Sequence, residues 1–414
     1  MTTNIGTTDI AAVDLTDLDL WADGPPHELF ARMREEAPVR WNPSADGHGF
    51  WSLTRGAEIA EVSENPASFS CARGGIFLRP DALGPIEFVR NLAIAKDPPE
   101  HTRFREIVSK AFLPRTLVLI DAIIQESVRD ALDRVVAVGS CDLVHDVAEP
   151  IPLRVITRML GAPDEDMAQL LAWVEEIERG IGYSRDVTPI FKQMAEHLLG
   201  IVDNQLIRGV DSFAGALAEA EVDGQRLTEA EIALYFGLLL YAGIGPTRNA
   251  ISAGMLALIE HPDQLAALRA NPILLRCTRS GLPTAALAEI LRWTTTVNYL
   301  ARTATADTVL AGAEIKADDR VVMWYASASR DNDVMPGADQ LDVGRPVRSI
   351  QHFAFGGGGP HRCQGGFLAT KMLSVALPEI IGRLPGIQLA GKPERARTVF
   401  ANQLISLPVE FNQV

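Results

Sequence analysis

Cysteines are few in this chain, and their spacing excludes two common kinds of site. The 414 residues include four cysteines, Cys71, Cys141, Cys277 and Cys363, which stand far apart. Because no C-x-x-C pair is present, neither a zinc site nor a disulfide framework is indicated. The sequence also lacks a cysteine set for an iron–sulfur cluster, and it has no Gly-x-Gly-x-x-Gly unit after a predicted strand that would bind a dinucleotide.

Basic residues are in the minority, and long hydrophobic runs are absent. The chain has 38 Lys and Arg against 53 Asp and Glu, a formal net charge of −15. A protein with this charge is not expected to bind nucleic acid or an anionic membrane surface. Residues 1–20 are polar and acidic, which predicts no signal peptide, and the most apolar window, 233–244, is shorter than the ~20 residues that span a bilayer. We therefore expect a cytoplasmic protein with no membrane association.

Helical periodicity dominates what is present. No repeat, low-complexity tract or polar linker interrupts the sequence, so we predict a single domain over residues 1–414, with about 1–20 as an N-terminal extension. Apolar residues recur at i, i+3 and i+4 in segments 27–36, 99–112, 114–138, 152–160 and 165–179. Short strands are predicted at 39–41, 50–53, 299–304 and 320–324, and 399–411 is extended. The fold class is mainly α (α+β), with small sheets.

One predicted helix is much longer than the others. Thr228 and Glu231 have the spacing of a capping box, which marks the start of a helix. The apolar pattern that follows continues to about Glu260. A helix of this length and apolar character is expected to cross the core of the protein.

The centre of that helix contains three residues that disfavour helix. Gly243 and Gly245 each cost about 1 kcal/mol relative to alanine, and Pro246 costs about 3 kcal/mol. Pro246 also cannot donate the hydrogen bond that the carbonyl of Ala242 would accept. The pattern predicts a break in the core, where a ligand could use the freed carbonyl. A packing kink, or a loop between two helices, is the alternative.

Cys363 ends a glycine-rich segment. Residues 355–365 read F-G-G-G-G-P-H-R-C-Q-G, and the apolar stretch that follows predicts a helix. Consecutive glycines let a backbone approach a bulky group closely, and a thiolate is favoured at a helix start. These features suggest a ligand to haem iron; a buried structural cysteine beside a flexible turn is the alternative.

A carboxylate and a guanidinium precede this segment. Glu289 and Arg292 lie at i, i+3 on one predicted helix face with apolar neighbours, so the pair is a candidate for burial. A buried ion pair needs further partners, and Arg345, just before the cysteine loop, is a candidate.

Taken in order, these motifs resemble the cytochrome P450 superfamily of haem-thiolate proteins. The motifs are Ala242-Gly243, Glu289-x-x-Arg292, Arg345 and the loop that ends in Cys363-x-Gly365. The resemblance extends from about Leu20 to the C-terminus and is closest to the soluble bacterial members. It implies the P450 fold, haem b (iron protoporphyrin IX) as cofactor, and Cys363 as the axial ligand of the iron.

The resemblance also implies roles for other residues. The residues expected to contact the haem are His101, Arg105, Arg302 and His361 at its propionates, and Phe355, Gly357 and Gly365 in the cysteine loop. A buried network that supports the cysteine side is expected from Glu289, Arg292 and Arg345. The expected substrate pocket includes Leu239, Val297, Asn298 and Leu404. The region expected to activate oxygen comprises Ala242, Gly243, Gly245, Pro246 and Thr247.

The central helix departs from the family pattern. After Ala-Gly the family has one residue, then an acid and a threonine, which organise water and deliver protons to dioxygen. Here Gly245 and Pro246 occupy those two positions, and Thr247 is rotated by about 100°. Neither Gly245 nor Pro246 has a side chain that can relay a proton. Three explanations are open. An ordered water or a group on the substrate delivers the proton; or the enzyme uses peroxide in place of dioxygen, as peroxygenases of this superfamily do; or the protein binds a ligand without oxygenating it.

The function expected from these observations is that of a monooxygenase. It inserts one oxygen atom from O2 into a hydrophobic small molecule. Since the chain has no reductase domain, electrons from NAD(P)H are expected to arrive through a ferredoxin and a ferredoxin reductase. The candidate basic patch for an acidic ferredoxin comprises Arg103, Lys110, Arg115, Arg362 and Lys371.

Overall fold

The computed structural model describes residues 9–44, 47, 49–79, 84–112, 114–182, 186–203, 213–277 and 283–413. Contacts divide the chain into two compact units. The first comprises Met1–Pro80, Ala253–Gly366 and Pro393–Ile405; the second comprises Asp81–Ser252, Phe367–Lys392 and Ser406–Val414. The single-domain organisation stays a prediction.

The described residues are mainly helical, as the periodicity predicts. The α-helices are α1 (His27–Glu36), α2 (Gly56–Glu64), α3 (Ile86–Val89), α4 (Glu100–Ala111), α5 (Pro114–Val136), α6 (Pro150–Met159), α7 (Met167–Gly182), α8 (Thr188–Asp203), α9 (Phe213–Glu219), α10 (Glu229–Glu260), α11 (Pro262–Ala270), α12 (Ala285–Thr294), α13 (Tyr325–Ala328) and α14 (Gly366–Arg383). The strands are β1 (Val39–Asn42), β2 (Phe50–Leu53), β3 (Phe69–Ser70), β4 (Ser140–Asp142), β5 (Tyr299–Ala304), β6 (Thr308–Leu310), β7 (Ala313–Ile315), β8 (Arg320–Trp324), β9 (Gln388–Leu389), β10 (Glu394–Arg395), β11 (Leu404–Ser406) and β12 (Pro408–Glu410).

A five-stranded sheet organises the first unit. Its strand order is β1-β2-β8-β5-β3, with β2 and β8 parallel and the other neighbours antiparallel. Every residue of β8 is buried, as expected for a central strand covered on both faces. Trp324 at the end of β8 stacks on Trp21, with ring centroids 5.5 Å apart, and also contacts Phe30. This aromatic cluster lies on one face of the sheet.

Helices form most of the second unit. It includes α3 to α9, most of α10 and α14, with a small sheet of strand order β4-β12-β9. A π-helical segment, Leu143–Ala148, leads into α6. At the junction, the N–H of Glu149 donates to the carbonyl of Val144 at 2.9 Å, the i to i−5 bond of a π-helix.

Helix α10 begins where the capping box predicts. The N–H of Glu231 donates to Oγ1 of Thr228 at 3.2 Å, and the N–H of Thr228 donates to the Glu231 carboxylate at 2.9 Å. The predicted break is wrong, because α10 is a continuous helix of 32 residues with Pro246 inside it. Tertiary contacts outweigh the local preference: Thr247, Arg248 and Asn249, directly after the proline, are all at most 3% exposed.

The apolar stretch of α10 is longer than the sequence estimate of 233–244. An 18-residue window of α10 has a mean hydropathy of 1.3, and the helix is long enough to cross a bilayer. Of that window, 56% is buried inside the protein, as in the core helices of many globular proteins. The expectation that the protein does not associate with a membrane stays a prediction.

Candidate active site: a cysteine loop and a charged cluster on the central helix

Cys363 lies at the end of the glycine loop, three residues before α14 begins. Its N–H donates to the carbonyl of Phe355 at 3.0 Å, which closes the loop. The Phe355 ring packs against Gly366, where a Cβ would come within 3.3 Å of the ring. Cys363 itself is exposed. The loop therefore presents the cysteine rather than burying it.

Two glycines of the loop pack too closely against helix α2 to carry a side chain. A Cβ on Gly357 would come within 2.8 Å of Ile59, and a Cβ on Gly359 would come within 2.8 Å of the backbone of Ser63. Gly359 also has φ of +66°, a conformation that L-residues rarely adopt. The sequence predicts that the glycines allow close approach by a cofactor, whereas in the structure Gly357 and Gly359 are accounted for by close packing on α2. A cofactor contact by Gly357 stays a prediction. At Gly365, the nearest described atom to an added Cβ would be Sγ of Cys363, at 3.9 Å.

Two buried guanidinium groups in the first unit suit an anionic ligand. Arg302 in β5 is 2% exposed and donates to the carbonyl of Ala301 at 2.8 Å. Arg320 in β8 is 9% exposed and donates to Oγ1 of Thr303 at 2.8 Å. Burial, together with the charge of Arg302, lowers the pKa of Arg320 to about 10. Among the residues that the structure describes, no carboxylate forms an ion pair with either arginine, so this region fits the carboxylates of a haem. Arg320 was not predicted; a buried arginine in an otherwise apolar strand was the available signal.

The structure distributes the predicted propionate ligands over both units. In the first unit, Nε2 of His361 lies 3.5 Å from Sγ of Cys71. In the second unit, His101 and Arg105 lie one turn apart on α4, with His101 3% exposed and Arg105 half-buried. Their roles toward a haem stay predictions.

The predicted buried network comes together in the first unit. Nε and Nη2 of Arg292 donate to the two carboxylate oxygens of Glu289 at 2.8 and 2.7 Å. Arg292 also donates to the carbonyls of Ser329, Ala338 and Gln340. Nε of Arg345 lies 3.6 Å from Oε2 of Glu289, so Arg345 adds an ion pair. Arg292 and Glu289 are fully buried, and their many partners meet the requirement for burying two charges.

In the second unit, Arg248 forms a charged cluster that was not predicted. Its Nη2 donates to Oε2 of Glu178 at 2.8 Å, and its Nη1 donates to Oε2 of Glu149 at 3.1 Å. Burial alone would lower the pKa of Arg248, but the two carboxylates outweigh burial and leave that pKa raised. Along the same helix, Ala242 is exposed and Gly245 is buried.

The predicted substrate residues also lie in both units. Leu239 on α10 is 8% exposed. In the first unit, Val297 pairs with Ala401 in an isolated bridge, and Asn298 donates from Nδ2 to the carbonyl of Val399 at 3.0 Å. Oδ1 of Asn298 is buried without a hydrogen-bond partner among the described residues, which is unusual for a buried acceptor. Leu404 is 1% exposed and belongs to the core.

Comparison with known proteins gives the family. The model of the cytochrome P450 family matches residues 183–384. A methyl-branched lipid omega-hydroxylase of Mycobacterium tuberculosis is 32% identical, over 97% of this chain and 95% of the relative. A steroid C26-monooxygenase of Rhodococcus jostii is also 32% identical, over 96% of this chain and 84% of the relative. A Mycobacterium marinum cytochrome P450 solved with pseudoionone has a TM-score of 0.84 at 31% identity, covering 98% of this chain and all of that chain.

These similarities extend over nearly the whole chain, and the fold class predicted from the sequence is confirmed. Proteins of this family bind haem b through a cysteine thiolate, and the chain offers an exposed cysteine with buried arginines in the same unit. Several of the relatives are named as monooxygenases. The chain thus belongs to the cytochrome P450 family and is a haem-dependent oxidoreductase of the monooxygenase type.

Proposed function

We propose that this cytochrome P450 inserts one oxygen atom from O2 into a hydrophobic small molecule, with Cys363 as the thiolate ligand of its haem b. The observation that carries the proposal is the exposed Cys363 at the end of a loop closed on Phe355 and packed on α2. When bound, the haem supplies the iron chemistry that activates dioxygen. Each turnover consumes one dioxygen, two electrons and two protons, and it releases the hydroxylated product and one water.

The residues of the chain have separate tasks in this proposal. Cys363 would hold the haem iron through its sulfur. Arg302 and Arg105 would offer positive charge to the haem carboxylates, and His361 and His101 would offer hydrogen bonds to them. The Glu289–Arg292–Arg345 network fixes the backbone before the cysteine loop. Asn298 offers Oδ1 as an acceptor for a polar group of the substrate.

The substrate class follows from the relatives. Their names specify a methyl-branched lipid and a steroid, and one solved relative holds pseudoionone. All are largely apolar, and the positions assigned to substrate contact here are mostly apolar too. We propose a bulky apolar substrate, a protein that works in the cytoplasm, and electron supply by a ferredoxin and its reductase.

A peroxygenase is the second candidate function, because Pro246 occupies the threonine position as in the peroxygenases of this superfamily. Those enzymes bind the substrate carboxylate with an arginine beside that proline. Here Gly245 precedes the proline, and the nearby Arg248 is engaged by Glu149 and Glu178. This favours the use of dioxygen. A ligand-binding haem protein that does not oxygenate is the remaining alternative.

Product formation under two regimes distinguishes these functions. A panel of branched lipids, steroids and terpenoid ketones is incubated with NADH, a surrogate ferredoxin and its reductase, or with hydrogen peroxide alone. We expect hydroxylated product to form in proportion to the NADH consumed, as detected by mass spectrometry. Product with peroxide alone would indicate the peroxygenase, and binding spectra without product in either regime would indicate the non-oxygenating protein.

The electron-transfer surface gives a second prediction. Of the candidate basic patch, Arg103 pairs with Glu231 at 3.1 Å and Lys371 with Asp121 at 3.1 Å, which leaves less net charge than the sequence suggested. The side chain of Arg115 lies outside the described residues. Arg362 beside the cysteine is exposed. We therefore expect Arg362→Glu to slow reduction by ferredoxin about tenfold at low salt, because the charge steers association.

Stopped-flow reduction with ferredoxin, against ionic strength, measures this effect. Arg129→Glu is the matched control, since Arg129 is another exposed cation, with a side chain 62% exposed. Reduction by dithionite should be the same in all three proteins. An Arg362→Glu variant that accepts electrons from ferredoxin at the wild-type rate would exclude Arg362 from the docking surface.

A further inference from the structure

A carboxylate from another helix fills the space beside Gly245. Glu178 lies near the end of α7, and a Cβ built on Gly245 would collide with Oε1 of Glu178 and approach its Cδ to 3.4 Å. The absence of a side chain at position 245 is therefore what admits this carboxylate to the surface of α10. Gly245 stands where the family pattern has an acidic residue, and the carboxylate of Glu178 from α7 lies against it.

Arg248 holds this carboxylate in place. It is 3% exposed, one turn from Gly245 on the same helix, and bonds Oε2 of Glu178 at 2.8 Å. Glu149 binds the other side of the guanidinium at 3.1 Å, and Nε of Arg248 donates to Asn249 at 3.3 Å. Two carboxylates therefore share one guanidinium, and Nδ1 of His145 lies 3.9 Å from Oε1 of Glu149. The Glu149 carboxylate holds Arg248 from the other side, while Oε1 of Glu178 lies beside Gly245.

The place at which Glu178 of α7 contacts α10 suits proton transfer. Ala242 is exposed and Pro246 is half-buried, whereas Gly245 is buried about 60° away from Ala242 around the helix. Glu178 therefore meets α10 at the border between its packed and its less buried side. Its side chain is 15% exposed, which gives it access to water. Pro246 leaves the carbonyl of Ala242 without its helical hydrogen bond, and this carbonyl can anchor a water.

We propose that Glu178 supplies, from α7, the carboxylate that the central helix lacks at Gly245, and that it relays protons for the cleavage of dioxygen. The inference rests on the proposed monooxygenase function. Glu178 releases one proton at a time through water toward the reaction and takes each proton back from solvent, so two are transferred per turnover and the residue ends unchanged. Arg248 and Glu149 are positioning residues.

Glu178→Gln tests the relay, because glutamine keeps the shape and removes the titratable group. We expect the product formed per NADH to fall at least about tenfold, with the missing electrons recovered as hydrogen peroxide. The solvent isotope effect on product formation should rise, and Glu178→Asp should restore part of the yield. Glu176→Gln, an exposed carboxylate on the same helix, is the matched control and should behave as the wild type.

Glu149→Gln separates proton relay from a structural role. It removes a carboxylate from the same guanidinium without touching Gly245. If Glu178 only neutralised Arg248, the two glutamine variants would lose stability and yield alike. We expect the two variants to lose similar thermal stability, but we expect the change in product yield per NADH to be at least about fivefold smaller for Glu149→Gln than for Glu178→Gln.

A readout without turnover uses carbon monoxide as the probe. The C–O stretching band of the reduced carbon monoxide complex responds to charged groups near the bound molecule. We expect Glu178→Gln and Gly245→Ala to shift this band, and Glu176→Gln to leave it in place. Gly245→Ala displaces the Glu178 carboxylate without removing any charge, so it tests the proposal even if Glu178→Gln fails to fold.

The outcomes separate the two hypotheses. Suppose that the wild type forms product with NADH and that Glu178→Gln or Gly245→Ala keeps the wild-type yield and an unshifted C–O band. This result would overturn the proton-relay inference but not the proposed function. A wild type that forms product only with peroxide would overturn the proposed function, and the relay with it, because no protons would then be needed to cleave dioxygen.

Discussion

Arg292→Ala is expected to lower the free energy of unfolding by about 3–5 kcal/mol, among the largest effects of a single substitution in this chain. Arg292 is fully buried, and its guanidinium holds Glu289 and three backbone carbonyls. Its loss would leave the buried Glu289 carboxylate with Arg345, 3.6 Å away, and with the N–H of Asp342, which donates to it at 3.0 Å. Denaturant unfolding of the holoenzyme, followed by circular dichroism and haem absorbance, measures the change.

Arg32→Ala is the control for that measurement. Arg32 also pairs with a glutamate on one helix face, Glu36, but its side chain is 28% exposed and that of Glu36 is 54% exposed. Removing an exposed pair of this kind costs about 0–1 kcal/mol. Arg292→Lys should remain strongly destabilised, because a single ammonium group cannot span the same acceptors. Equal losses for Arg292→Ala and Arg32→Ala would show that the network does not support the fold.

Cys363→Ala is expected to abolish both the thiolate signature of the haem and product formation. No other group of the loop can replace a thiolate that donates electron density to the iron. The reduced carbon monoxide difference spectrum reports the ligand directly, and mass spectrometry reports the product. Haem content, measured separately, distinguishes loss of the ligand from loss of the cofactor.

Cys141→Ser is the matched control. Cys141 lies in β4, and burial, with the charges of Asp146 and Asp142, raises the pKa of its thiol to about 12. It therefore stays protonated at neutral pH and is a poor metal ligand. We expect Cys141→Ser to keep the thiolate spectrum. A Cys363→Ala protein that retained this spectrum would assign the iron to a different cysteine.

The elements that could be predicted are those whose pattern is local. Strands β2, β5 and β8 have the predicted bounds because short runs of β-branched and aromatic residues stand between breaks. Helix α10 begins at the predicted cap because Thr228 and Glu231 satisfy each other over three residues. The association of Glu289 with Arg292 was also predictable, since i, i+3 residues share a helix face.

What could not be predicted depends on partners distant in sequence. Helix α10 continues through Pro246, and Arg248 just after it is bound by Glu178 and Glu149, which lie 70 and 99 residues away in sequence. Local propensity could not include these contacts. Gly357, Gly358 and Gly359 of the cysteine loop face α2, almost 300 residues earlier in the chain.

One signal of the charged cluster was present in the sequence. Glu178 follows Val174 by four residues and precedes Ile181 by three, so it falls on the buried stripe of α7. A carboxylate within an apolar stripe indicates a buried cation elsewhere in the fold. Nothing local specified that the cation would be Arg248.

The attachment of the glycine loop to α2 has a consequence for affinity. Because the loop is closed by Cys363 on Phe355 and seated against Ile59 and Ser63, its conformational entropy is lost when the chain folds. A ligand that binds Cys363 then meets a preorganised donor and does not have to order the loop itself. Enlarging Gly359 should therefore weaken retention of the cofactor while leaving the thiolate chemically unaltered.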